Sequence, residues 1–300
     1  MRESFLSWYR KYYLLVNLPL LLLVTELVIT VVDPISLKPN DLDAAYASFH
    51  ARPAQDAAVV LLLGNSGMQQ GVDAEQLEAA LSRPGHPVRV YNFAVSAARI
   101  DDVAELTRRL LAAGMKPKAI VLGLNPFLVD DHVNADSRFP WLSRASPYLY
   151  FHRSIIRGLL KKALRGEMGN PDEFGFNGSD GVQTDAQRDF AIDAFSHEFE
   201  HRPADDYPLM NQVPLFLSEL ADRGINTNVV LLPISPDASR RLSSFPELIA
   251  NVRSLAPAGS LDLVERFSYT RFKDIGHVNL TGRKELTSDL ASWLSERLSF

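Results

Sequence analysis

The chain has 300 residues, which is room for one large domain or two small ones. Hydrophobic residues make up 46% of it and charged residues 22%, as in an ordinary globular protein. The net charge of -5 gives nucleic-acid binding no electrostatic support, and the absence of cysteine excludes disulfides, thiolate catalysis and cysteine-bound metals.

The N-terminal region predicts a membrane anchor. Residues 13–32 are predominantly apolar and carry a single charged side chain, Glu26. Arg2, Arg10 and Lys11 precede this stretch, and flanking positive charge stays in the cytoplasm. A cleavable signal peptide is the alternative, but the apolar run is long and the nearest Ala-x-Ala pattern lies far beyond it. We therefore expect an uncleaved single-pass anchor in a bacterial cytoplasmic membrane, with the rest of the chain outside the cytoplasm.

The sequence predicts four segments. Several prolines between the anchor and the first strand indicate a connector. A long stretch after the third predicted strand exceeds a simple crossover and predicts an insertion that folds over the site. The expected segments are residues 1–12 in the cytoplasm, the anchor at 13–32, the connector at 33–56, and a domain at 57–300 with an insertion at 126–207.

Beyond the connector, apolar runs alternate with helical patterns. The runs predict strands at residues 58–63, 88–95, 119–124, 228–234 and 261–267. Helices are predicted at residues 208–223, 246–255 and 281–298. Two more are predicted from their N-caps: one runs from the cap Asp101 to Ala113, and the other from the cap Asp73, with Gln76 in a capping box, to Leu81. Strands that alternate with helices form a parallel sheet with helices on both faces. Ligands bind at the carboxyl ends of such strands, so polar residues found there are candidate site residues.

Three residues fit an acyl-transfer site. Ser66 lies at a turn of small residues directly after the first predicted strand, and Asp274 and His277 form an Asp-x-x-His pattern before the last helix. A serine hydroxyl needs a base to remove its proton, and His277 is the candidate. Asp274 would fix the tautomer of the histidine and stabilise the imidazolium. The pattern predicts Ser66 as nucleophile, His277 as base and Asp274 as its orienting partner.

An acyl-transfer site also needs hydrogen-bond donors for the oxyanion that forms during the reaction. The candidates are the backbone N–H of Ser66, the backbone N–H of Ala94 at the end of the second predicted strand, and the side-chain amide of Asn125 after the third. Each lies at or just after the carboxyl end of a predicted strand, where such groups meet. We expect these three donors to form the oxyanion hole.

In this order the motifs resemble those of the SGNH, or GDSL-like, hydrolases. The matching segments are Gly64-Asn65-Ser66, Asn92 to Ser96, Gly123-Leu124-Asn125 and Asp274-Ile275-Gly276-His277. The resemblance covers residues 58–298 apart from the insertion. It implies a three-layer, flavodoxin-like parallel sheet, serine chemistry on ester bonds, and no metal or organic cofactor. Three residues depart from the family pattern: Asn65 replaces an acid, Ala94 replaces a glycine, and Pro126 stands where an acid is common.

The anchor and the motifs together resemble membrane-anchored members of this family that act in bacterial envelope acylation, such as alginate O-acetylation and lipoteichoic-acid D-alanylation proteins. The resemblance implies an extracytoplasmic serine esterase or O-acyltransferase. Its expected substrate is an acyl ester, either of a cell-envelope or exported polysaccharide or of a small molecule. A multi-pass membrane acyltransferase is the expected partner if the acyl group is transferred rather than hydrolysed.

A second motif indicates a different chemistry. Residues 197–201 read His-Glu-Phe-Glu-His, in which His197 and His201 could share a zinc ion while Glu198 acts as general base. An Arg-Pro pair follows at once and is expected to end the helix there. The alternatives to serine chemistry are therefore a zinc-dependent hydrolase and a non-catalytic envelope assembly protein.

Overall fold

The structure, a computed structural model, describes residues 57–95, 98–130 and 207–298. The predicted anchor at 13–32, the connector at 33–56 and all but the two ends of the predicted insertion lie outside these residues. Among the described residues, no helix is both long enough and apolar enough to cross a membrane. The anchor stays a prediction.

The described residues form a five-stranded sheet in which every pair of neighbouring strands is parallel. In chain order the strands are β1 (Ala58–Leu63), β2 (Val88–Asn92), β3 (Ala119–Leu124), β4 (Thr227–Leu231) and β5 (Leu261–Asp262). Their spatial order is β2-β1-β3-β4-β5, which is that of a flavodoxin-like sheet. The predicted parallel sheet of an α/β fold is confirmed, and β1 and β3 have the predicted bounds.

Helices connect these strands and follow them. In chain order they are α1 (Ser66–Gly71), α2 (Ala74–Leu81), α3 (Ile100–Ala112), α4 (Pro126–Val129), α5 (Gln212–Asp222), α6 (Pro236–Arg241), α7 (Phe245–Leu255) and α8 (Leu280–Arg297). Short 3-10 turns at Pro208–Asn211 and Tyr269–Arg271 precede α5 and α8. Helices α1, α4 and α6 are not among the predicted helices, because helices this short show no periodicity.

Both faces of the sheet are buried. Alternate residues of the strands join side chains of α2 and α8 in one core cluster, which includes Val60, Leu62, Val90, Val121, Val230, Leu77, Leu286, Leu290 and Leu294. The intervening residues Leu61, Leu63 and Leu122 are equally buried. Helices α3 and α5 contact each other, and α5 contacts β4. Burial on both faces is the reason that the strands appear in the sequence as unbroken apolar runs.

Three strands are shorter than predicted. β2 ends at Asn92 rather than at 95, where the side chain of Asn92 accepts the N–H of Ala94. The N–H groups of Phe93 and Val95 still donate to carbonyl groups of the β1 segment. β4 ends at Leu231 rather than at 234. β5 ends at Asp262 rather than at 267, because the Asp262 carboxylate accepts the N–H of Val264 at 3.1 Å. Polar side chains that bond to nearby backbone compete with the strand ladder in this way.

The two predicted N-caps have different outcomes. Asp73 caps α2 as predicted, since its carboxylate accepts the N–H of Gln76 at 3.1 Å. The reciprocal half of the capping box is absent, because the N–H of Asp73 donates to Oγ1 of Thr287 at 2.9 Å and so ties α2 to α8. The cap predicted at Asp101 is wrong: the N-cap of α3 is Arg99, two residues earlier, and Asp101 lies in the first turn of the helix.

Candidate active site

The candidate nucleophile lies where β1 leads into α1. Gly64 has a φ of +151°, and a Cβ there would lie 3.0 Å from the Cβ of Met68 and 3.1 Å from a carbonyl oxygen of β3. Only glycine adopts this turn without strain. The Asn65 side chain then caps α1 by accepting the N–H of Gly67 at 3.0 Å. These two residues place Ser66 at the first position of α1, beside the carboxyl end of β1.

Ser66 contacts His277 although 211 positions separate the two residues. The Oγ of Ser66 lies 2.7 Å from Nε2 of His277. The other ring nitrogen, Nδ1, lies 2.7 Å from Oδ1 and 2.8 Å from Oδ2 of Asp274. An ionised carboxylate only accepts, so Nδ1 carries the proton and Nε2 is left to accept from the serine hydroxyl. The structure brings the three predicted residues together in the arrangement of a nucleophile, its base and an orienting acid.

The acid and the base lie on one short loop that backbone hydrogen bonds hold in place. The Oδ1 of Asp274 accepts the N–H of Gly276 at 3.0 Å and the N–H of His277 at 2.8 Å. Phe272 and Val278 pair as an antiparallel bridge at the base of the loop. Helix α8 starts two residues after this bridge. The loop is thereby fixed to the start of the last helix.

The environment of Asp274 keeps its carboxyl group ionised. Burial acts to raise the pKa of Asp274, but the hydrogen bond and charge of His277 and the two backbone N–H groups outweigh burial and hold the pKa below its usual value. The side chains of His277 and Asp274 remain 26% and 30% exposed, so the pair is open to solvent. An ionised Asp274 stabilises the positive charge that His277 acquires when it takes the serine proton.

Lys273 links this loop to α1. Its ammonium group donates to Oε1 of Gln70, which lies one turn after Ser66 on α1. Its backbone N–H donates to the carbonyl oxygen of His277 at 2.9 Å. Burial lowers the pKa of Lys273, and the neighbouring carboxylate of Asp274 acts in the opposite direction. Neither Lys273 nor Gln70 is among the predicted site residues, and the adjacency of Lys273 to Asp274 is the one sequence feature that indicates it.

Asn125 follows β3 and caps the short helix α4, where its Oδ1 accepts the N–H of Leu128 at 3.1 Å. Its side chain also pairs with that of Asn65, with Nδ2 of each residue bonded to Oδ1 of the other at 2.8 and 3.2 Å. β1 and β3 are neighbours, and the strand order reverses between them, so residues at their carboxyl ends meet in the crevice of the sheet. The structure therefore joins Asn125 to the residue that precedes Ser66.

The backbone N–H of Ser66 suits the predicted role of oxyanion donor. The first position of a helix has no acceptor within the helix. No acceptor among the described residues receives this N–H. A donor next to the nucleophile lies where the oxyanion of an acyl intermediate forms. Ser66 can thus supply both the attacking oxygen and one donor.

The backbone N–H of Ala94 does not have the direction that its predicted role as oxyanion donor requires. The N–H groups of Phe93 and Val95 donate to carbonyl groups of the β1 segment at 2.9 and 3.0 Å. Successive N–H groups of an extended chain point to opposite sides, so the N–H of Ala94 points away from β1. It donates to Oδ1 of Asn92 at 3.1 Å. The structure does not bring this N–H to the serine, and the other two predicted donors remain.

The zinc alternative lies outside the described residues, since His197, Glu198 and His201 fall between 131 and 206. Within the described ranges, no three His, Asp or Glu side chains are grouped as metal ligands. The zinc site stays a hypothesis.

No protein-family model matches the chain, and no curated protein matches its sequence. The crystal structure of TesA is similar to it with 15% sequence identity and a TM-score of 0.40, over 80% of this chain and 99% of that one. The crystal structure of an acetyl xylan esterase, AlAXEase, is similar with 13% identity and a TM-score of 0.41, over 78% of this chain and 98% of that one. Likeness at this level carries no argument about activity, so the function is inferred from the site itself.

Proposed function

We propose that this protein is a serine hydrolase of the SGNH type that acts on acyl esters. The observation that carries the proposal is the pair of contacts from Ser66 Oγ to His277 Nε2 and from His277 Nδ1 to Asp274, both 2.7 Å. These contacts give a serine its base and the base its orienting carboxylate, which together make a weak nucleophile reactive.

The reaction follows from the positions of these groups. Ser66 Oγ forms a bond to the acyl carbon while its proton passes to Nε2 of His277, and Asp274 stabilises the imidazolium. The carbonyl oxygen becomes an oxyanion that accepts from the N–H of Ser66 and the amide of Asn125. The ester bond then breaks, and the leaving alcohol takes the proton from His277. In the second half, water or a sugar hydroxyl attacks the acyl-serine and gives its proton to His277. The bond between the acyl carbon and Ser66 Oγ then breaks, and Ser66 Oγ takes that proton from His277.

In this proposal the domain is anchored by residues 13–32 and works outside the cytoplasm on acyl esters of a cell-envelope or exported polysaccharide. The apolar segment with its basic flank supports the location. The resemblance to anchored envelope acylation proteins supports the substrate class. A small acyl ester is the alternative substrate. A multi-pass membrane acyltransferase would supply the acyl group if the acceptor is a sugar hydroxyl rather than water.

The test of serine chemistry is covalent labelling of the full chain with a fluorophosphonate, followed by peptide mapping. We expect one labelled serine, Ser66, and no labelling in Asp274→Asn or His277→Ala variants. Hydrolysis of p-nitrophenyl acetate should be blocked by the same reagent and unaffected by a metal chelator. Activity that survives full labelling of Ser66 but is lost on chelation would instead support the zinc hydrolase.

Location and acceptor are tested separately. A reporter fused to the C-terminus should be active only outside the cytoplasm, and a cytoplasmic signal would contradict the anchored orientation. Incubation of the acyl-serine form with an acceptor oligosaccharide, compared with buffer alone, distinguishes transfer from hydrolysis. Acylated oligosaccharide detected by mass spectrometry supports transfer, whereas free acid as the sole product supports an esterase.

A further inference from the structure

The Asn65 and Asn125 side chains form a reciprocal pair at the residue that precedes the candidate nucleophile. Nδ2 of Asn65 donates to Oδ1 of Asn125 at 2.8 Å, and Nδ2 of Asn125 donates to Oδ1 of Asn65 at 3.2 Å. Both residues are almost fully buried, at 3% and 2% exposure. Buried amides without solvent depend on such partners for their orientation.

The hydrogen bonds of the pair leave one donor of Asn125 unused. Oδ1 of Asn125 accepts two bonds, from Asn65 and from the N–H of Leu128 at 3.1 Å. An amide oxygen has two lone pairs and an amide nitrogen two hydrogens. The oxygen is therefore saturated, and the nitrogen gives one hydrogen to Asn65 and keeps the other. A rotation of this carboxamide by 180° would place its nitrogen against the N–H of Leu128, so one orientation is favoured.

Asn65 is held as firmly as its partner. Its Oδ1 accepts two bonds, from Asn125 and from the N–H of Gly67 at 3.0 Å on α1. The residue is also the N-cap of α1 and directly precedes Ser66. The side chain thus connects the helix that carries the nucleophile to the amide that follows β3.

We propose that Asn65 is a positioning residue that fixes the Asn125 carboxamide so that its remaining N–H serves the oxyanion beside Ser66. The inference rests on the proposed serine chemistry. A carboxylate cannot donate to Oδ1 of Asn125. Whichever way the Asn125 carboxamide turned, one of the two contacts would then join two acceptors.

The direct test is Asn65→Asp, which keeps the shape of the side chain and removes the donor. Loss of a whole oxyanion donor costs about 10²–10³-fold in kcat, so a donor that is mispositioned should cost roughly 10- to 100-fold, with KM little changed. The matched control is Asn228→Asp, a buried asparagine near the amino end of β4 that donates to Asn226 at 3.3 Å. We expect this control to keep the wild-type kcat.

A double-mutant cycle tests the same inference without burying a charge. If Asn65 acts through Asn125, the kcat of Asn65→Ala/Asn125→Ala should equal that of Asn125→Ala alone. A purely structural role of Asn65 would multiply the two losses instead. Circular dichroism and urea unfolding of each variant establish that the kcat values belong to folded protein.

Three outcomes decide the inference. It stands if Asn65→Asp lowers kcat without raising KM and the cycle shows full non-additivity. It is overturned if folded Asn65→Asp has the wild-type kcat, or if the losses in the cycle multiply, while hydrolysis still depends on Ser66. Hydrolysis that does not depend on Ser66 would overturn the proposed function and this inference together, so the two failures are distinguishable.

Discussion

The two halves of the site are held by different means. Asn65 and Asn125, on the nucleophile side, are almost fully buried at the ends of two central strands. Asp274 and His277 lie on a loop, about a quarter to a third exposed, and are held by backbone hydrogen bonds and a bridge. Buried amides preorganise a site through the core, whereas an exposed loop depends on its own local bonds. The comparison predicts where substitutions affect catalysis and where they affect stability.

The largest effect is expected from Ser66→Ala, which removes the nucleophile. Loss of a nucleophilic serine lowers kcat by up to about 10⁶-fold in other serine enzymes. Because Ser66 is at the site rather than in the core, its removal should leave the free energy of unfolding nearly unchanged. Ester hydrolysis and urea unfolding, measured on the same preparation, check both statements. A variant with appreciable wild-type activity would contradict Ser66 as nucleophile.

Asp274→Asn should follow, with kcat reduced by about 10⁴-fold, because the amide can no longer hold His277 in the required tautomer. Its KM for a small ester should change little. The variant tests the loop side of the comparison. A variant in which KM rises while kcat stays constant would assign Asp274 to substrate binding instead.

On the nucleophile side, Asn125→Ala should lower kcat by about 10²–10³-fold through loss of an oxyanion donor. It should also destabilise the fold, since the donors of Asn65 and Leu128 lose a buried acceptor. Steady-state kinetics and unfolding measure the two losses. If the variant is less stable but keeps the wild-type kcat, the role of Asn125 is structural and it is not an oxyanion donor.

The pH dependence of stability should show the contribution of Asp274, on the loop side of the site. The pKa of Asp274 is lowered in the folded state, so its contribution to stability is present above the ordinary aspartate pKa, about 4, and is lost as pH falls through the lowered value. Urea unfolding of wild type should therefore weaken below about pH 4 more steeply than that of Asp274→Asn. Equal slopes for the two proteins would contradict the lowered pKa.

The smallest effect is expected from Lys273→Met, which removes the link from the loop to Gln70 on α1. A partly exposed polar link of this kind contributes little, so kcat should fall by about two- to five-fold. Lys273→Arg, which keeps a donor and the charge, should retain most of the wild-type rate. A loss from Lys273→Met as large as that from Asp274→Asn would give Lys273 a direct part in catalysis.

Local patterns in the sequence predict much of the fold. β1 and β3 have the predicted bounds because each is an unbroken apolar run buried on both faces. Asp73 caps α2 as its spacing to Gln76 indicates. Two of the strands that end early, β2 and β5, do so where a nearby polar side chain accepts a backbone N–H, which apolar periodicity does not indicate.

The sequence by itself determined the strand and helix pattern and the residue types that serine chemistry needs. Only the tertiary structure decided which of them meet. The pairing of Asn65 with Asn125 depends on β1 and β3 being neighbours, and the contact of Ser66 with His277 joins positions far apart in the chain. The direction of the Ala94 N–H depends on which side of β2 pairs with β1. Periodicity and caps are local properties of the chain, whereas strand order and side-chain contacts are set by packing of the whole domain.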